Sequence, residues 1–102
     1  MIDIDDLIHA GNFCEIITDK FIHEEVKRGH LVYVAGHKAL PEDENDPYTQ
    51  RIKFFCHLVD KYGHIDERFF IMDPKSLQRV DKRKQKKFEK LVKAVADAHG
   101  IN

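Results

Sequence analysis

Residues 51–72, RIKFFCHLVDKYGHIDERFFIM, constrain the fold of this chain more than any other stretch. The run 52–59 is aromatic and β-branched and too short for a helical pattern, so it reads as a strand. Gly63 can take the positive φ that a tight hairpin turn requires. With the turn at Tyr62-Gly63, Cys56 falls opposite Phe69, Phe54 opposite Ile71, Phe55 opposite Phe70 and His57 opposite Arg68. Side chains alternate faces along a strand, so Phe54, Cys56 and Leu58 share one face and Phe55, His57 and Val59 the other. Both faces are largely apolar, whereas a sheet with one wet side would show a clean polar face. A curled sheet satisfies both. One face lines a small barrel core, and the other lies under a helix, with the pairs Phe55–Phe70 and His57–Arg68 under or beside it.

At 102 residues the chain is one domain. A domain this size buries roughly 65% of the surface its unfolded form exposes, enough for a core without metals or disulfides. No apolar run has membrane-spanning length and no signal-peptide pattern opens the chain, so a cytoplasmic protein that engages no membrane is expected. Cys14 and Cys56 read as reduced thiols in a core.

The net charge of −1 hides an asymmetry. Between positions 75 and 93 stand nine Lys or Arg and two acids, a net of +7; the remainder holds 8 basic and 16 acidic residues, a net of −8. Residues 81–99 form the clearest helix. Phe88, Leu91, Val92, Val95, Ala96 and His99 fall on one arc, and Gly100 ends it. The opposite arc carries Lys82, Arg83, Lys86, Lys90 and Lys93. Lys82, Arg83 and Lys84 crowd the first turn, where the helix dipole disfavours positive charge, and a local rule broken in this way can mark a functional site. The stripe can grip phosphates of RNA or DNA, grip an acidic protein surface, serve as a solvated face, or meet an acidic loop of the same or a second copy. The sequence leaves these open.

Elsewhere, residues 3–10 read as a short helix stopped by Gly11, and residues 13–18 as a strand. Residues 19–28 fit a helical turn or a strand. LVYVA (31–35) reads as a central strand. Residues 36–50, GHKALPEDENDPYTQ, read as a long acidic loop, which in a small domain is often functional. Asp73-Pro74 starts a helical turn, and 78–80 adds a last short strand.

The order RGHLVYVA, long loop, hairpin, then FFIMDPKSLQRV resembles an SH3-like small β-barrel. The resemblance covers roughly residues 27–80 and is one of fold. It implies a long loop after the first core strand, a short helical turn before the last, and a module that binds peptides, nucleic acids or protein surfaces. Its peptide-binding form uses an aromatic groove, usually with Trp; this chain has none.

Catalytic equipment is sparse. Ser76 is the one serine and lacks a G-x-S-x-G setting. Cys56 and His57 are neighbours on a strand and point to opposite faces, so they cannot pair. The seven histidines show no H-x-x-x-H spacing, and no C-x-x-C accompanies them. Tyr33, Phe55, Phe70 and Tyr62 could stack on bases; Phe55 and Phe70 are expected in the core, Tyr62 and Tyr48 at the surface.

The expected architecture is α+β: a small antiparallel SH3-like barrel (27–80) after an N-terminal extension with a short helix (1–26), and a C-terminal amphipathic helix (81–99) packed on it. The expected function is a non-enzymatic binding protein without cofactor or metal. Its first candidate partner is a protein, met through charged surfaces that include the loop residues Glu42, Asp43, Glu44 and Tyr48. The alternative is RNA or DNA held by Lys82, Arg83, Lys86, Lys90, Lys93 and Tyr62.

Overall fold

A computed structural model describes residues 7–18, 26–43 and 46–98, the side chains of 42–51 apart. Five strands and one helix follow in order: β1 (Phe13–Ile16), β2 (Leu31–Asp43), β3 (Asp46–Val59), β4 (Ile65–Met72), β5 (Leu77–Arg79) and α1 (Lys82–Ala98). The strands form one antiparallel sheet in the order β4-β3-β2-β1-β5. The described pairings leave it unclosed. The sheet is nevertheless bent: Phe70 and Met72 of β4 share a buried cluster with Leu77 of β5, at the opposite edge. Cys14, Ile16, Val32, Val34, Phe54 and Cys56 complete that cluster, with Val26. Its apolar burial is the main source of stability.

The hairpin exists, but its register corrects the sequence reading. Phe54 pairs with Met72, Phe55 with Ile71, Cys56 with Phe70 and His57 with Phe69. The cause lies in the turn. Gly63 N–H donates to the Asp60 carbonyl at 3.2 Å and Asp60 N–H to the His64 carbonyl at 3.0 Å, so the turn holds one residue more than a two-residue loop. Asp60 Oδ1 accepts from Tyr62 N–H and His64 N–H, both at 2.9 Å. The odd-length loop makes residues of equal parity face each other, and a bulge between His57 and Val59 preserves that parity. Phe70 therefore joins Phe54 and Cys56 in the core, and Phe69 turns outward.

The loop expected at 36–50 is instead a ladder. β2 runs to Asp43 and β3 begins at Asp46, with Lys38 opposite Lys53 and Pro41 opposite Gln50. β1 covers only Leu31 to Tyr33 of β2, so this end is a two-stranded ribbon whose outer edges need no partner. Proline, which lacks an N–H, is tolerated on such edges. Glu42 and Asp43 therefore lie in β2 and Tyr48 in β3, while Glu44 lies outside the described residues.

The N-terminal helix is corrected as well. Residues 3–6 lie outside the described residues, and 7–10 form a bend and a turn. Asn12 Oδ1 accepts from His9 N–H at 2.8 Å, and Gly11 N–H donates to the Val34 carbonyl at 2.8 Å. This backbone is drawn to the sheet, which outweighs a helix too short to stand alone. β1, assigned by sequence to an extension before the barrel, lies inside the sheet between β2 and β5. Residues 19–25, the core of the ambiguous stretch, lie outside the described residues. The turn at Pro74–Ser76 is a single 3-10 turn in which the Asp73 side chain accepts from Lys75 N–H, as the Asp-Pro pair predicts.

Candidate functional site

Asp81 caps α1 from the position before it: its Oδ1 accepts from Lys84 N–H at 2.7 Å. No acid follows in the first turn. Phe88 is buried, and Leu91, Val92, Val95 and Ala96 are half-buried on the predicted arc; His99 lies outside the described residues. This arc docks on the outer face of the sheet, as the sequence suggests, but toward the turn end of the hairpin and β1. Phe88 forms a buried cluster with Phe13 and Val59, and Leu31, Tyr33, Ile65 and Val80 pack against that cluster; Phe55 and Arg68 are not part of it. The Phe88 and Phe13 rings lie 5.6 Å apart.

Two local features lock the helix there. Gln85 Oε1 accepts from Phe13 N–H at 2.8 Å, and its Nε2 donates to the Gly11 carbonyl at 2.9 Å. At the other flank, Gly63, with φ of 91°, brings its backbone against Leu91: a Cβ built there would stand 2.8 Å from the Leu91 backbone carbon. The hairpin turn thus abuts the middle of α1. Tyr62 is 62% exposed beside that contact, with Lys61 Nζ 5.1 Å from its ring centroid.

With the apolar arc docked, Lys82, Arg83, Lys84, Lys86, Lys87, Lys90 and Lys93 are all exposed. None forms an ion pair with a described residue. Arg83, Lys86, Lys87 and Lys90 line one shallow groove of about 510 Å³ with Leu91. A second cleft of about 410 Å³ separates α1 from the sheet, lined by Tyr33, Ile65, Glu89, Val92 and Lys93 among others. The predicted cations and Tyr62 therefore lie on adjoining elements. Of the predicted partner loop nothing similar can be assembled, since its side chains fall outside the described set.

The outer face beyond the helix is open. Phe69 and Ile71 are 57% and 54% exposed, and Phe55 and His57 are half-buried beside them. The Phe55 and Phe69 rings meet edge to face at 5.6 Å. His57 Nδ1 lies 2.8 Å from the Asp66 carbonyl and 3.0 Å from the Arg68 carbonyl. Both partners accept only, so Nδ1 carries the proton and the ring is pinned across the bulge. Sequence reasoning missed Phe69 because it counted the turn one residue short. It missed Gln85 too, although a polar residue inside an apolar arc was the available signal.

Other chemistry is muted. Burial pushes the Cys14 thiol up to about 11 and the Cys56 thiol up to about 12, so neither offers a thiolate near neutral pH. Hydrogen bonds from His64 and Tyr62 N–H hold the Asp60 carboxyl below its usual range, and the Arg68 side chain does the same to Asp66. These carboxylates shape the turn and the bulge. Among the described residues, no group of His, Cys, Asp and Glu could hold a metal ion, and no helix is long and apolar enough to cross a membrane.

No family model matches the chain, and neither a curated protein nor a solved structure matches it.

Proposed function

We propose that this protein is a non-enzymatic binding module of SH3-like architecture that holds a nucleic acid on its basic C-terminal helix. The architectural part is supported by the strand order, the bent sheet whose two edges share a core, and the 3-10 turn between β4 and β5.

One observation carries the partner class. Seven exposed cations stand on α1 without an ion pair to any described residue, and three of them occupy the first turn against the helix dipole. Like charges gathered on one face repel, and that repulsion is relieved by a polyanion with regularly spaced charges. An acidic protein surface is the second reading, and the same stripe would serve it.

The test is a fluorescence-anisotropy titration of labelled DNA at low salt. If about five side chains reach phosphates of a single strand, log K should fall with log salt at a slope near −3.5. The double variant Lys86→Glu/Lys90→Glu should bind no DNA. Absence of binding by the native protein at low salt sinks the nucleic-acid reading.

A further inference from the structure

The uncovered part of the outer face carries an arrangement that the basic helix alone does not require. Phe13 pairs with Tyr33, Tyr33 with His57, and His57 with Phe69. One transverse row of rings therefore crosses four strands. It starts under Phe88 at Phe13, 1% exposed, and surfaces at Phe69, 57% exposed. Phe55 stands in the next row, and its partner on β2 is Gly36. A Cβ at Gly36 would meet nothing within 4 Å, so the surface beside Phe55 is open.

We propose that this face is a stacking platform for a single-stranded nucleic acid, whose backbone runs from it onto the basic helix by way of Tyr33 and Lys93. The proposal rests on the nucleic-acid reading above. Three observations support it. The exposed rings are held in place before any ligand arrives: Phe69 by its edge-to-face contact with Phe55, and His57 by its two carbonyl partners. Fixed rings lose little entropy on binding. Next, the row and the charged stripe adjoin, because Tyr33 and Lys93 line the same cleft between sheet and helix. Glu89 lines it too, but its carboxylate accepts from Gln85 Nε2 at 2.9 Å. Finally, rings on neighbouring strands of this row stand 5.3 Å apart for Phe13 and Tyr33 and 6.4 Å apart for His57 and Phe69. Bases must be splayed to meet such rings, which an unpaired strand allows and a duplex does not.

The experiment is a set of anisotropy titrations at low salt with a labelled oligodeoxythymidine and a labelled duplex of equal length. The native protein, Phe69→Ala, Phe55→Ala/Phe69→Ala and Lys86→Glu/Lys90→Glu are compared. Loss of the Phe69 ring should weaken single-strand binding between about fivefold and a hundredfold and leave duplex binding unchanged. Phe69→Trp supplies a readout independent of affinity. The chain holds no Trp, so quenching of that fluorescence by the oligonucleotide reports stacking at this position. Native-like binding by both alanine variants, with loss in the lysine variant, overturns the platform and leaves the helix reading intact. Native protein that binds neither probe ends both. Duplex-only binding, or self-association of the native protein that Phe69→Ala abolishes, also overturns the platform; the latter would make the face a contact between copies.

Discussion

The outer face of the sheet has two halves, both rich in apolar side chains, with different fates. One half, with Phe13, Leu31, Val59 and Ile65, packs beneath Phe88, Leu91 and Val92, with Phe13 and Val59 buried and Leu31 and Ile65 half-buried. The other, with Phe55, His57, Phe69 and Ile71, is roofed by nothing among the described residues. Hydrophobicity does not separate them. The difference lies in where α1 is tied down, and its anchors are Gln85 against the backbone of β1 and Gly63 against Leu91. A polar side chain and a missing side chain thus choose which apolar surface is core and which is available.

The sharpest way to break this contrast is to empty the covered half. Phe88→Ala should cost about 3–5 kcal/mol, the usual loss for a buried ring, read as a fall in the urea midpoint. A loss under about 1 kcal/mol would mean that the helix does not depend on that contact. Gly63→Ala tests the anchor. It forces a side chain into the left-handed region and into the Leu91 backbone, and should cost about 2–4 kcal/mol. The loss should concentrate in α1, as faster hydrogen exchange of its amides than of the strands. Uniform exchange across strands and helix would refute the anchor. The smallest effect belongs to the open half. Phe69→Ala forfeits an exposed edge-to-face pair and should shift stability by less than about 1 kcal/mol. A larger loss would show that this ring is structural and remove the basis for its role in binding.

Much of this fold was legible along the chain. The alternation in 52–59, the Asp-Pro turn and the 3.6-residue arc of α1 are local signals, and each element formed where its pattern stood. The acidic stretch misled because proline and charge usually mark loops. On a ribbon with unpaired edges neither is excluded, and pairing with residues 46–53 absorbed it into β2 and β3. The register misled because one residue in the turn decides parity, and both the two-residue and the longer loop suit Tyr62-Gly63. Of the candidate site, the cations of α1 could be placed by periodicity alone. Phe69 could not, since its face depended on that parity.

By itself the sequence determined the strand at 52–59, the Asp-Pro turn, the C-terminal helix and the charge stripe, because backbone preference and side-chain period act over a few residues. The tertiary structure alone decided that β1 sits inside the sheet and that α1 covers one half of an apolar face while Phe69 stays in water. Those outcomes depend on partners far apart in sequence, such as Gln85 with Phe13 and Leu91 with Gly63, whose meeting no local pattern encodes.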